Sequence, residues 1–108
     1  MPEPIIRTNL ETFAVPDGQY ETVIMHVALA PHFNTGLHTH PGVDAAYLLE
    51  GGLEVLERGE PAKPIRPGES WHVKPGVVHE VKAGAQGAKV LAVYVVERGK
   101  PLATPWTG

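Results

Sequence analysis

The sequence predicts an all-β protein folded as one domain over residues 1–108, and three observations lead there. The 12 glycines and 11 prolines are spread along the chain instead of gathered in low-complexity blocks, the punctuation expected of many short strands. Turn-forming pairs recur at roughly 8- to 12-residue intervals, as in sandwiches and barrels. No helix-length window carries an apolar i, i+3, i+4, i+7 stripe free of Gly or Pro, so no amphipathic helix is expected. At 108 residues and 43% hydrophobic, the chain can build one core and is too short for two.

The elements follow from local composition. Residues 20–30, YETVIMHVALA, are β-branched and apolar up to Pro31 and read as a long strand. Residues 44–59, DAAYLLEGGLEVLERG, hold two apolar runs around Gly51-Gly52, a hairpin signal because paired glycines accept the positive φ of a primed turn. Shorter strands are expected at residues 62–65, 70–74 and 79–83, separated by Pro67-Gly68 and Pro75-Gly76. Residues 89–97, KVLAVYVVE, close the set with a strand buried on at least one face. Core strands therefore run from about residue 20 to 98, and residues 99–108 form an extended C-terminal tail with Trp106 near its end. That tail is either loosely held or an arm packed on a neighbouring surface.

Charge and composition exclude several classes of function. A formal charge of −3, with no basic stripe, argues against nucleic acid as a partner. The absence of cysteine removes disulfides, thiolate catalysis, zinc ribbons and iron–sulfur clusters, so a metal site must use His and carboxylates. No apolar run approaches ~18 residues. The opening Met1-Pro2-Glu3-Pro4 carries an acid and no hydrophobic region; a cytoplasmic protein without a leader or a membrane partner is expected.

Six histidines point to the chemistry. His38 and His40 are two apart, so on an extended segment both leave the same face and can grip one ion. Pro41-Gly42-Val43 allows the chain to bend and return Asp44 towards them. Two imidazoles and a carboxylate suit a divalent first-row ion with positions left for substrate or dioxygen. His79, following the turn at Pro75-Gly76, is a fourth candidate ligand.

The run Gly36-Leu37-His38-Thr39-His40-Pro41-Gly42-Val43-Asp44, followed after six residues by Gly51, resembles the first cupin motif. Gly68, six residues, then Pro75-Gly76-Val77-Val78-His79 resembles the second, across a 16-residue spacer typical of small bacterial cupins. The resemblance implies a double-stranded β-helix, the cupin jelly-roll barrel, holding one divalent transition metal per chain (Fe, Mn, Ni or Zn) on His38, His40, Asp44 and His79. Asp44 stands where the family carries Glu, shorter by one C–C bond of ~1.5 Å. Lys74 occupies the usual first proline of the second motif, and Ala83 the place of a common Asn. Small cupins resemble one another in forming dimers, and a homodimer is expected here because long apolar strands gain from covered edges.

Beyond the ligands, Tyr47 and His26 are the candidate catalytic residues, Tyr47 as acid or substrate hydrogen-bond donor. The plainer reading makes Tyr47 a packing residue and His26 a sheet-face histidine, since His26 has the parity of Ile24 and Ala28, opposite to Met25 and Val27. Trp71 and Tyr94 suit core or interface positions. The function expected is a metal-dependent enzyme acting on a small oxygenated organic molecule, with dioxygenase chemistry first. Isomerisation or lysis of a keto or sugar acid stands second. A non-enzymatic metal- or ligand-binding cupin, a sensor or storage module, is the third.

Overall fold

The structure is a computed structural model describing residues 4–16 and 18–107; residues 1–3, on which the leader was judged, Asp17 and Gly108 lie outside the described residues. There is no helix among the described residues, hence none long and apolar enough to cross a membrane. Eight strands form one curled antiparallel sheet: β1 (Ile5–Ala14), β2 (Tyr20–Leu29), β3 (His38–Thr39), β4 (Val43–Glu57), β5 (Lys63–Ile65), β6 (Ser70–Val73), β7 (His79–Glu97) and β8 (Thr104–Pro105). The all-β expectation holds, and the curl is that of a jelly-roll barrel.

Two long strands organise it. β4 and β7 pair antiparallel from Val43↔Val95 to Glu57↔His79. β4 passes from β6 at its start to β5 further on, while β7 passes from β3 to β2. A strand that changes neighbours must change which residues face inward. Asp44, Ala46 and Leu48 are buried on the even positions of β4, Leu53 and Val55 on the odd ones; on β7 the switch runs from His79 and Ala83 to Ala88, Val90 and Ala92. Register shifts between Leu48 and Glu50 and between Gly51 and Leu53 accomplish the change, since one inserted residue reverses the parity of all that follow.

The Gly51-Gly52 hairpin expected from sequence is therefore not formed. Gly51 has φ +83°, and a Cβ there would lie 2.0 Å from the Gly87 carbonyl oxygen, so the glycines let two backbones approach at a bend instead of reversing the chain. For the same reason residues 79–83 and 89–97 are not two strands but parts of one, β7. β1, unexpected from sequence, adds an edge strand on β2 with a register shift between Asn9 and Glu11.

The core comprises Val23, Met25, Val27 and Leu29 of β2 with Leu48, Leu53, Val55, Ile65, Trp71, Val73 and Val90. At one end the paired residues are small, Ala46 opposite Ala92, and there the interior opens into a cavity of about 310 Å³ whose wall includes Met25, Val27, Trp71 and Val90. The bend generates a stability prediction. Gly51→Ala combines a strained φ with backbone overlap and is expected to cost about 2–4 kcal/mol, whereas Gly52→Ala, with nothing within 4 Å, should stay within about 0.5 kcal/mol. Urea denaturation of both variants checks this; equal midpoints would contradict the bend as its cause.

Candidate metal centre

The first motif works as a local clasp. His38 lies on β3, paired to His79 at the start of β7, and to Pro105 of β8 on its other side. The chain turns at Pro41-Gly42 to begin β4. A Cβ on Gly42 would stand 1.9 Å from the Val95 carbonyl oxygen, so only glycine lets the turn seat against β7 and return Asp44 to the imidazoles. The Gly76 N–H donates to the His40 carbonyl at 2.9 Å, tying the second motif's turn to the first.

The three rings converge, with centroids 5.0 Å apart for His38–His40, 4.3 Å for His38–His79 and 5.0 Å for His40–His79. One ligating atom from each lies within 4.8 Å of the others, so three imidazoles can hold a metal ion. His40 and His79 are buried and His38 half-buried. Asp44 joins them: its Oδ2 is 3.0 Å from His40 Nε2 and 3.9 Å from His79 Nε2.

The other side of each ring decides what these nitrogens can do. Nδ1 of His38 contacts the Gly36 carbonyl at 2.8 Å, Nδ1 of His40 the Leu102 carbonyl at 2.7 Å, and Nδ1 of His79 the Val77 carbonyl at 3.0 Å. A carbonyl oxygen only accepts, so Nδ1 carries the proton in each ring and Nε2 presents its lone pair to the common centre. This is how ligating histidines are oriented.

Deprotonated Nε2 atoms also explain an otherwise awkward contact. Buried His40 Nε2 has no well-directed hydrogen bond and faces the Asp44 carboxylate at 3.0 Å. Two lone pairs at that distance repel unless a proton or a cation lies between them. Two donors about 2.1 Å from one ion and at right angles stand about 3.0 Å apart. The residues present therefore fit a divalent ion.

Burial pushes the His38 and His79 imidazoles below their ordinary value of 6.5, so both are neutral and available as ligands. Burial acts on His40 in the same direction, but the Asp44 carboxylate beside its Nε2 outweighs burial and raises His40. Tyr94, paired opposite Asp44 across β4 and β7, also lines the cavity, 5.5 Å from the His40 ring. Burial and then the Asp44 charge push its phenol up to about 12; it remains protonated.

Tyr94 is a site residue that sequence reasoning assigned to packing. Its signal was parity, since it alternates with Val90 and Ala92, which face the cavity. The structure does not bring Tyr47 or His26 to the cavity. His26 sits between Thr8 and Leu91 on the outer face of the sheet, and Tyr47 pairs with Leu91 on that same face, 44% exposed. Both have the opposite parity to the inward residues of their strands. His32 is exposed with φ 62°, and His72 is exposed on β6.

The C-terminal segment completes the mouth. Besides the Leu102 carbonyl on His40, Trp106 N–H donates to the Leu37 carbonyl at 2.9 Å, and the Arg58 guanidinium lies 5.8 Å from the Trp106 ring centre, within cation–π range. The segment is thus tied to β3, Leu37 and Arg58 of its own chain while staying largely exposed.

With this geometry in view, comparison with known proteins is direct. Residues 25–96 match the cupin domain family. The chain belongs to that family. This cupin is similar in structure to a cupin-like protein from Thermotoga maritima, with 25% identity over 96% of this chain and 76% of that one and a TM-score of 0.75. It is similar to KdgF from Halomonas sp. at 20% identity, over 89% and 82% of the two chains, with a TM-score of 0.73. It is also similar to the DMSP lyase DddQ from Ruegeria pomeroyi at 18% identity and a TM-score of 0.71, covering 78% of this chain. The cupin spans 42% of that lyase's length. The last two likenesses establish the fold alone. No curated protein sequence matches this cupin.

The opposed histidine shifts predict a pH optimum of stability for the metal-free cupin. His38 and His79, depressed in the fold, contribute stability above about 6.5 that is lost as pH falls towards their folded values; His40, raised, contributes below about 6.5 and loses it as pH rises through its folded value. Chelator-treated protein should be most heat-stable near pH 6.5, and Asp44→Asn should abolish the alkaline decline. Melting temperatures from about pH 5 to 9 test this; a steady rise in wild type across that range would refute it.

Proposed function

We propose that this cupin is an enzyme dependent on one divalent first-row transition ion (Fe, Mn, Ni or Zn), held by His38, His40, Asp44 and His79, and that it acts on a small oxygenated organic molecule in the cavity. The observation that carries this reading is the set of Nε2 lone pairs aimed at one point, each fixed by an Nδ1–H bond to a carbonyl. When bound, such an ion supplies Lewis-acid polarisation of a substrate oxygen and, as iron, dioxygen activation.

The chain's own residues favour the Lewis-acid form, an isomerase or lyase acting on a keto or sugar acid. Tyr94 places a neutral phenol beside the ligands, on the cavity wall opposite Asp44; its upward shift to about 12 suits it to donate a hydrogen bond and not to give up its proton. A half-buried neutral phenol can donate a hydrogen bond to oxygen on which negative charge develops, and the apolar walls strengthen that interaction. Tyr94 takes the proton-holding role in this reading, in place of Tyr47 and His26. Dioxygenation is the second reading: four protein donors leave two of six octahedral positions for substrate and dioxygen.

Elemental analysis comes first, on wild type and His79→Ala after anaerobic incubation with each metal and removal of free ions. About one ion per chain is expected in wild type and a loss of at least tenfold in the variant. Substrate screening with an oxygen electrode then separates the readings. Turnover without oxygen uptake, lowered about 100-fold by Tyr94→Phe at unchanged metal content, is expected. Stoichiometric oxygen uptake would assign a dioxygenase, and a ligand bound but always recovered unchanged would assign a sensor or storage protein.

We also propose a homodimer through the outer face of the sheet. Phe13, Thr22, Val95 and Val43 form one row across it, and Ile24, Val93 and Ala45 lie in the next, which ends in Glu11 on one side and His72 on the other. Phe13, Val43 and Tyr47 are 47%, 45% and 44% exposed. Such a contiguous apolar patch with few charges suits a second copy across a twofold axis. Sedimentation should give a two-chain mass for wild type and a one-chain mass for Tyr47→Arg; a monomeric wild type would exclude this assembly.

A further inference from the structure

Strand β1 lies outside the segment that matches the cupin domain family, yet it delivers one cation to the cavity. Arg7 pairs with Val27, and Ile5 with Leu29; all four line the cavity, so Arg7 is on the inward face of its strand. Its neighbours Ile6 and Thr8 pair with outward-facing Ala28 and His26. The charge of Arg7 reaches both ends of the polar cluster, opposing a proton on His38 and easing ionisation of Tyr94 as a minor contribution at each. Among the described residues Arg7 has no ion pair and no side-chain hydrogen bond.

The charge balance then points to the ligand. Arg7 and Asp44 are the two charged side chains lining the cavity besides the histidines. With a divalent ion bound, three neutral imidazoles, the Asp44 carboxylate and the Arg7 guanidinium would bring the site to about +2, the Arg7 end being exposed to solvent. Arg7 is itself exposed, so its guanidinium is solvated without a ligand, and an anionic ligand entering the cavity would gain its ion pair at the cost of that water. A guanidinium presents a planar fork of N–H donors that fits a carboxylate with two parallel hydrogen bonds. Phosphate sites usually add backbone N–H groups from a helix N-terminus, and the described residues contain no helix. A volume of about 310 Å³ belongs to the small end of ligand cavities.

We infer that Arg7 is the specificity residue of this site, binding the carboxylate of a small anionic substrate whose second oxygen function reaches the histidine cluster. The histidine end of this inference rests on the metal-centre reading above; the Arg7 end does not. It is tested by isothermal titration of metal-incubated wild type, Arg7→Gln and Arg7→Lys with malonate, succinate and glutarate and with their diamides, metal content being measured on the same samples.

At least one diacid is expected to bind wild type, with its diamide at least tenfold weaker. Arg7→Gln should weaken the diacid at least tenfold at unchanged metal content, and Arg7→Lys should retain part of the affinity because it keeps the charge and loses the fork. Equal binding by Arg7→Gln, equal binding of the diamide, or no diacid bound at millimolar concentration would overturn the inference. Arg7-dependent binding to a wild type that carries no metal would uphold it while the metal-centre reading fails. Full metal occupancy with Arg7-independent binding would do the reverse.

Discussion

The antiparallel register of β4 against β7 sets where almost every consequential side chain ends up. Pairing Asp44 with Tyr94 and Glu57 with His79 turns the carboxylate and phenol inward at one end and starts β7 with an imidazole that meets His38 across β3. The close approach of Gly51 to Gly87 lets both strands bend midway, where the register shifts and the inward parity of each strand switches. Were either strand to slip by one residue, Asp44 and Tyr94 would exchange places with Val43 or Ala45 and Val93 or Val95, and the cavity would lose its polar edge.

That polar edge is organised by protons as much as by position. Backbone carbonyls of Gly36, Val77 and Leu102 claim the Nδ1 protons, leaving acceptors crowded together, with His40 Nε2 itself buried and unpartnered. Asp44 sharpens the conflict at His40. A cavity wall built only to be stable would not assemble so many acceptors, and a cation is the simplest means of satisfying them. The basicity of His40 and the neutrality of His38 and His79 follow from the same arrangement, in which one carboxylate is shared unequally among three rings.

How much of this was legible depended on how local the signal is. His38, His40 and Asp44 fall within seven consecutive residues, and Pro41-Gly42 between them announces the turn, so their proximity could be read directly. Gly51-Gly52 looks like a hairpin because its partner in the bend, Gly87, is far away in sequence and no local rule links them. β1 went unread for a related reason: nearly all of it is exposed, so it lacks the apolar alternation by which strands are recognised, and Arg7 was hidden with it. Tyr94 and the outward His26 and Tyr47 were questions of parity, answerable only once the register of β7 was known.

The Leu102 carbonyl has a wider consequence. It holds His40 from 62 residues further along the chain, on a segment attached by β8 to β3 and by Trp106 to Leu37 and Arg58. Docking of the tail and occupation of the His40 Nε2 lone pair are therefore thermodynamically linked, and linkage is reciprocal. An ion fixing His40 would steady the last strand, and a molecule that captured Trp106 and drew the tail aside would weaken binding of that ion by the same factor. The segment around Trp106 would, in effect, be a handle on any ion held at His40.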